Sequence, residues 1–143
     1  RHGEVDHVFY LFERMKKEGM RPDDVTFLSI LNVCSHAGLL DTAQDYFGSM
    51  STKYGIPPSI GHHNCLVDLL GRAGQLYAAL IKLEEMPFHV DPVGWRTILG
   101  ACQKWGAVHL GKHAFEYMVK RNESNAAAFI LMSNLFVDEP DWD

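Results

Sequence analysis

The order of apolar and polar residues along the chain follows the period of an α-helix. Apolar side chains recur three and four positions apart, as one face of an amphipathic helix requires, and no stretch alternates strictly as a half-buried strand does. Three stretches that run directly into a glycine are predicted to be helices: Asp24–Ala37, His62–Ala73 and Val93–Trp105. Four further predicted helices follow a glycine: Glu4–Glu18, Asp41–Tyr54, Gln75–Glu85 and Val108–Arg121. The pattern therefore predicts an all-α protein.

The same pattern returns along the chain at a nearly constant spacing. Its reference glycines stand at intervals of 35, 36 and 32 residues: Gly3, Gly38, Gly74 and Gly106. Mostly small residues stand five positions later, at Val8, Ala43, Ala79 and Gly111. Methionine stands twelve positions later, at Met15, Met50, Met86 and Met118. A period of this length is typical of repeat proteins. Each unit consists of two helices with a left-handed glycine ending the first, which predicts an α-solenoid of antiparallel helical hairpins.

Composition narrows the possible functions. The chain has 143 residues, 47% of them hydrophobic, and a formal net charge of −5, which gives no general attraction for nucleic acid. Its three cysteines, Cys34, Cys65 and Cys102, are far apart, and no Cys-x-x-Cys occurs. We therefore expect reduced thiols and neither a disulfide framework nor a zinc ribbon. No apolar run reaches the roughly 18 residues of a membrane-spanning helix, so we expect no membrane association.

One group of potential metal ligands stands out, namely His62, His63 and Cys65. They fall on one turn of a predicted first helix, no fourth ligand is apparent, and the other cysteines hold corresponding positions in neighbouring units. We interpret them as packing residues rather than zinc ligands, with His63 half-buried between helices. The segment Gly71–Gly74 lacks the preceding strand and the following Lys-Ser/Thr of a phosphate-binding loop. No nucleophile motif or clustered carboxylate pair appears, so we predict no catalytic residue, no metal, no cofactor and no enzymatic activity.

A longer string indicates which kind of repeat this is. Residues 11–50, LFERMKKEGMRPDDVTFLSILNVCSHAGLLDTAQDYFGSM, resemble a plant-type pentatricopeptide repeat (PPR) in Phe-x-x-Met-x-x-x-Gly-x-x-Pro-Asp, Val-Thr-Phe and Cys-Ser-His-Ala-Gly-Leu. The segment that begins HHNCLVDLLGRAGQLYAA resembles the terminal part of the PLS subclass, which has long and short repeat variants. The ending NAAAFILMSNLFVDEPDWD resembles the start of the second module of the E extension found in that subclass.

The resemblance covers essentially the whole chain and implies five segments of a PPR superhelix. They are the end of one repeat (1–23), a long repeat (24–59), a short repeat (60–91), an E-type PPR-like module (92–125) and the start of a second E-type module (126–143). The chain begins without methionine and inside a helical pattern. We therefore expect it to be a piece of a longer protein, with its last module cut short.

In the resembled family, two residues of each repeat select an RNA base: one in the first turn of the first helix and the residue that closes the repeat. In the short repeat these are Asn64 and Asp91, a combination that the family associates with uridine over cytidine. Asparagine offers both a donor and an acceptor to a base edge. The long repeat has Leu28 and Ser59, and Leu28 cannot hydrogen-bond a base. Asp23 closes the incomplete first repeat.

Further positions follow from the same resemblance. Val25 and Gly61 stand three residues before the first-turn positions and are possible base-stacking or flanking residues. Arg96 and Asn125 are the corresponding positions in the E-type module. The candidates for phosphate contacts are scattered cations, namely Lys53, Arg72, Lys82, Arg96 and Lys104. In an acidic chain such cations are equally typical of a solvated surface.

Proteins of this subclass often carry a cytidine deaminase domain, whose zinc chemistry needs His-x-Glu and a distant Pro-Cys-x-x-Cys. The string His2-Gly3-Glu4 fits the first part, but Gly3 belongs to the repeat pattern and the second part does not occur. We therefore predict no deaminase within this chain.

The resemblance implies a sequence-specific, single-stranded RNA-binding module of an organellar C-to-U RNA-editing factor, in the mitochondrion or chloroplast. It would position a target cytidine for a deaminase. Its partners would be organellar RNA and, through the E-type region, editing-factor proteins or a cytidine deaminase domain. The alternative is a protein-docking solenoid that recruits editing cofactors or a deaminase with little base reading of its own. A bare spacer between RNA and deaminase is a third possibility.

Overall fold

The computed structural model describes residues 2–86, 92–120 and 126–137. Within these ranges the chain forms eight α-helices and no strand, which confirms the all-α prediction. The helices are α1 (His2–Lys17), α2 (Asp24–Ala37), α3 (Leu40–Thr52), α4 (Ile60–Arg72), α5 (Leu76–Glu84), α6 (Pro92–Trp105), α7 (Val108–Lys120) and α8 (Ala126–Val137). The α2 helix has the predicted bounds, and the other predicted helices begin within two residues of the observed starts. None of the helices in the described ranges has the length and apolar character needed to cross a bilayer.

Three of the reference glycines end helices in the left-handed conformation. Their φ angles are 72°, 81° and 69°, at Gly38, Gly74 and Gly106. At the first of them, the Gly38 amide donates to the Ser35 carbonyl at 3.3 Å and the Leu39 amide donates to the Cys34 carbonyl at 2.9 Å. The corners at Gly74 and Gly106, where one helix ends and the next begins, have the same pair of hydrogen bonds. This pair is the Schellman motif. The predicted glycine ends are therefore confirmed, whereas Gly3 lies inside α1 instead of preceding it.

The described helices group into two compact units, Arg1–Leu69 and Leu70–Asp143, so the boundary falls within α4. In the first unit, α2 packs against α1 and α3. Its core is apolar and rich in aromatic rings: the fully buried Phe27 contacts Phe12 and Tyr54 at ring-centroid distances of 5.7 and 5.4 Å. Ala43, one of the small residues of the repeat pattern, is fully buried.

In the second unit, α6 packs against α5, α7 and α8, and α7 packs against α8. The indole of Trp95 in α6 is fully buried and stacks on Tyr117 of α7, with ring centroids 4.3 Å apart. Gly111 of α7 faces α8 so closely that a Cβ there would overlap Leu135. Two of the small residues of the repeat pattern, Ala43 and Gly111, thus stand where helices pack closely.

Candidate nucleic-acid interface

The predicted closing residue Asp23 caps the start of α2. Its Oδ1 accepts hydrogen bonds from the Thr26 amide at 2.9 Å and from the Thr26 hydroxyl at 2.8 Å, while the Asp23 amide donates to Thr26 Oγ1 at 3.3 Å. The two residues thus form a reciprocal capping box. The backbone hydrogen bond from Thr26, followed by that from its hydroxyl, lowers the pKa of Asp23 below its ordinary value. Asp23 is therefore exposed to solvent and stabilises the start of α2.

The second closing residue, Ser59, directly precedes α4 and is held by His62. The Ser59 amide donates to His62 Nδ1 at 3.0 Å, and the Ser59 hydroxyl lies 2.7 Å from the same nitrogen. Because an amide N–H can only donate, Nδ1 is an acceptor, and the neutral ring carries its proton on Nε2. That nitrogen donates to the carbonyl oxygen of Asp24 at 2.9 Å, across 38 residues of sequence. The His62 side chain is 2% exposed and links the starts of α2 and α4.

Three of the predicted site residues meet at this junction: Leu28, Ser59 and Gly61. A Cβ placed on Gly61 would lie 3.4 Å from Leu28 Cδ1 and 3.7 Å from Ser59 Oγ. Leu28 is half-buried and packs against the core of the first unit. Val25, a predicted flanking residue one turn earlier on α2, is 65% exposed. The structure therefore brings Leu28 onto Gly61 and leaves Val25 facing solvent.

Within the first unit, α2 and the first part of α4 lie side by side in a constant register. The Cys65 thiol donates to Asn32 Oδ1 at 3.1 Å, and the Ser35 hydroxyl donates to Asp68 Oδ2 at 2.9 Å. Both pairs are 33 residues apart, the same separation as Leu28 and Gly61. Since a constant separation means that the two helices run in the same direction, their first turns lie together.

The first-turn position Asn64 is half-buried on α4, one turn after the helix begins at Ile60. Its predicted partner, Asp91, lies outside the described residues, so the pairing of these two residues stays a prediction. In the predicted E-type module, Arg96 is half-buried one turn after the start of α6 at Pro92, with its Nε enclosed. Its counterpart Asn125 also lies outside the described residues.

Several of the predicted phosphate-contacting cations make local contacts. The Lys53 ammonium lies 5.7 Å from the ring centre of Tyr54, and that of Lys104 lies 5.3 Å from the ring centre of Trp105. Lys82 lies 3.9 Å from a carboxylate oxygen of Glu85. Exposed contacts of this kind contribute about 1 kcal/mol or less each. They leave these cations able to exchange partners with a phosphate, and that role stays a prediction.

The two adjacent histidines both serve packing. His62 forms the link described above, and His63 meets the ring of Phe47 edge-on, with ring centroids 5.1 Å apart. His63 is buried, not half-buried as the sequence suggested, because its ring packs against that of Phe47. Within the part of the chain that the structure describes, no three His, Cys, Asp or Glu residues are grouped so as to hold a metal ion.

The three cysteines are buried free thiols. Burial raises the pKa of Cys65, and it raises those of Cys34 and Cys102 to about 11. A thiol with a raised pKa stays protonated near neutral pH and is a poor nucleophile. The interpretation of Cys65 and Cys102 as core residues is confirmed by their burial.

The sequence pattern predicts a packing role for His62 and does not indicate its link between two helix starts. One signal was available, because each closing residue is followed three positions later by a side chain that can reach back to its amide. These pairs are Asp23 with Thr26 and Ser59 with His62, the spacing of a capping box. The local half of the arrangement was thus predictable, but the bond to Asp24 depends on how α2 and α4 pack.

Comparison with known proteins decides which kind of helical repeat this is. The family model for the pentatricopeptide repeat domain matches residues 1–37 and, in an overlapping second match, residues 10–73. The chain belongs to the pentatricopeptide repeat family. A PPR-containing protein of Arabidopsis thaliana is 40% identical over 142 residues, which cover 99% of this chain and 24% of the relative. A second PPR-containing protein of the same plant, named as mitochondrial, is 38% identical over 143 residues, which cover 99% of this chain and 16% of the relative.

Solved PPR structures share the fold. PPR10 from maize superposes with a TM-score of 0.85 at 16% identity, covering 96% of this chain and 20% of that one. PPR10 solved in complex with an 18-nt psaJ RNA element superposes with a TM-score of 0.80 at 15% identity, covering 94% of this chain and 20% of that one. The predicted fold class, an all-α helical-repeat solenoid, is therefore confirmed.

This PPR chain spans between 16% and 27% of the length of the curated relatives that it matches. Within it, Asp23 and Ser59 have the same place in two successive PPR units, directly before a first helix. Leu28 and Asn64 likewise stand one turn after the starts of α2 and α4. The positions that the family resemblance singled out therefore lie near the starts of helices that pack in parallel.

Proposed function

We propose that this chain is the RNA-binding part of an organellar C-to-U editing specificity factor of the PLS subclass with an E-type extension. In this proposal, successive first helices present base-selecting positions to single-stranded RNA, and the bound segment positions a target cytidine for a deaminase. The chain itself performs no catalytic step. The organelle is the mitochondrion or the chloroplast, and the name of the mitochondrial relative supports an organellar location.

The observation that carries the proposal is the joining of the starts of α2 and α4. The hydrogen bond from His62 to Asp24 and the contact of Leu28 with Gly61 hold these two helix starts together. Site positions of neighbouring units then follow one another in a row. Such a row suits recognition of one base per helical repeat, and PPR10, solved with an RNA element, supports single-stranded RNA as the ligand.

The two units have different roles in this proposal. The amide of Asn64 offers a donor and an acceptor to a base edge, and together with Asp91 it selects uridine over cytidine. Leu28 has no polar side-chain atom and lies on Gly61, so the long repeat contributes an apolar wall and no base choice. The exposed side chain of Val25 supplies a surface on which a base can stack.

The test is fluorescence anisotropy at low salt with short single-stranded RNAs, in which one position at a time is U, C, A or G. One net hydrogen bond corresponds to a preference for U of about 2- to 10-fold. We expect Asn64→Ala and Asp91→Ala to bind all four bases equally. Asn134→Ala is a matched control, because Asn134 is an exposed asparagine of α8 outside the site positions. A chain without base preference at any position would contradict the proposal.

A second candidate function is docking of editing-factor proteins or a deaminase domain through the E-type region. It is favoured by large apolar side chains that are about half exposed in the second unit, Trp105 and Phe129 among them, and by the net charge of −5. Weak RNA binding that is indifferent to base identity and to Asn64→Ala would favour docking. The direct measurement is titration with a purified cytidine deaminase domain, where Phe129→Ser should lower the affinity.

A further inference from the structure

The imidazole of His62 is buried, and both of its nitrogens make hydrogen bonds. One nitrogen accepts from the amide of Ser59 at 3.0 Å, and the other donates to the carbonyl of Asp24 at 2.9 Å. The ring therefore joins the residue that closes one repeat to the first residue of the preceding first helix. Since both partners are backbone groups, the length of this link is set by the histidine ring and not by the identity of neighbouring side chains.

The equivalent position of the preceding unit shows what is special about His62. Thr26 also stands three residues after a closing residue, and its hydroxyl accepts from the amide of Asp23 at 3.3 Å. Threonine performs only this local capping, because its side chain ends there. Histidine performs the same local capping through Nδ1. Because its ring is longer than the threonine side chain, its Nε2 also reaches the neighbouring helix. Only the second arrangement fixes one helix start relative to another.

Predicted site positions lie next to the two ends of this link. Ser59 is itself the closing residue of the long repeat, and Asn64 follows His62 by two residues on the first turns of α4. At the other end, Asp24 lies between Asp23, which closes the incomplete first repeat, and Val25, the flanking position of the long repeat. A change in the distance between His62 and Asp24 would therefore alter the spacing between successive base positions.

We propose that His62 is a positioning residue for base selection, which holds the Asn64 site in register with the site positions on α2 through its link to Asp24. This assignment rests on the RNA-binding function proposed above. His62 does not contact RNA in this arrangement, and it acts through the helix start on which Asn64 stands. Its removal should therefore lower the discrimination between bases more than it lowers overall affinity for RNA.

Four variants separate positioning from stability. His62→Ala removes both hydrogen bonds, and His62→Thr keeps a local cap like that of Thr26 but cannot reach Asp24. His62→Gln keeps an N–H donor near the position of Nε2. Ser35→Ala is the matched control, because it removes the 2.9 Å hydrogen bond to Asp68 between the same two helices, further from their starts.

The measurement is the ratio of Kd values for RNAs that carry C or U at the position read by Asn64, together with the thermal midpoint of each variant. If the wild-type ratio is about 2- to 10-fold, as one hydrogen bond provides, we expect His62→Ala and His62→Thr to reduce it to about one. His62→Gln should restore part of it, and Ser35→Ala should keep it despite a lowered midpoint. If His62→Ala does not fold, the comparison of His62→Thr with His62→Gln gives the same answer.

The outcomes that overturn the assignment are distinct from those that overturn the proposed function. A wild-type chain without base preference overturns both. A wild-type chain that discriminates, with His62→Thr discriminating equally well or Ser35→Ala losing as much, overturns the positioning role alone. A second readout needs no RNA: ¹⁵N NMR of the ring should show Nε2 protonated and Nδ1 unprotonated, and the opposite tautomer would overturn the link itself.

Discussion

Two helix ends that have the same backbone conformation differ in the side chains that surround them. Gly38 ends α2 and Gly74 follows α4, both in the left-handed conformation, with φ of 72° and 81° and the same pair of hydrogen bonds. A Cβ on Gly38 would meet nothing within 4 Å, whereas a Cβ on Gly74 would lie 3.2 Å from the indole of Trp105. One corner is open, and the other is covered by a side chain from α6.

This difference shows that a glycine of the repeat pattern can be required for two separate reasons, its backbone conformation and the space that it leaves for a neighbouring side chain. At both corners glycine is required for its backbone conformation, because a Cβ makes the left-handed region costly. At Gly74 it also leaves room for Trp105, whose Nε1 donates at 2.9 Å to the carbonyl oxygen of Gly71. That oxygen also accepts the corner's own hydrogen bond from the Gly74 amide at 3.1 Å. A shared sequence pattern thus hides a contact that only one corner makes.

The largest expected effect is that of Gly74→Ala. The left-handed conformation costs an alanine about 1–2 kcal/mol, and crowding against Trp105 adds about 1–3 kcal/mol. We therefore expect Gly74→Ala to lower the free energy of unfolding by about 2–5 kcal/mol, measured by urea denaturation. Gly38→Ala is the matched control and should cost only the conformational part. Equal losses at the two corners would show that Trp105, which is half exposed, simply moves away.

A smaller effect is expected when the indole nitrogen is removed. Trp105→Phe keeps a ring against Gly74 but loses the hydrogen bond to Gly71, which corresponds to about 0.5–1.5 kcal/mol of unfolding free energy. The same denaturation experiment measures it. In a double-mutant cycle, Trp105→Ala should also bring the cost of Gly74→Ala close to that of Gly38→Ala. Additive losses in that cycle would mean that the two residues do not interact.

The smallest effect is expected at the open corner. Asparagine adopts the left-handed conformation more readily than other side chains, and nothing lies within 4 Å of a Cβ at Gly38. We therefore expect Gly38→Asn to cost less than Gly38→Ala, by about 0.5 kcal/mol. Asparagine at position 74 should not give this relief, because the contact with Trp105 remains. A Gly38→Asn variant as unstable as Gly38→Ala would contradict the comparison.

The helices and their glycine ends could be predicted because their causes are local. The spacing of apolar residues determines which face of a helix is buried, and a glycine after the last turn provides the left-handed end. The prediction for α2 matched the observed bounds from Asp24 to Ala37. Where the prediction failed locally, at Gly3, the helix simply begins earlier than the repeat pattern indicated.

The contacts that distinguish one unit from another could not be predicted in this way. Trp105 covers Gly74 from 31 positions further along the chain, and His62 reaches Asp24 across 38 residues. Both contacts depend on the register in which neighbouring helices pack, and the spacing of apolar residues does not determine that register. The same holds for Leu28 and Gly61, which the sequence predicted as two separate site residues and which lie in contact in the structure. The pairing of Asn64 with Asp91 stays a prediction.

The capping role of Asp23 limits which residues can replace it. Asp23 accepts the amide hydrogen of Thr26, and Ser59 directly precedes α4. The residues that serve well at the start of a helix are few: aspartate, asparagine, serine and, less well, threonine. If the closing residues select bases as proposed, few residues can be exchanged there to change the base preference, because larger or apolar residues weaken the helix that follows. Under the same proposal, evolution of new RNA specificities at these positions faces the same restriction.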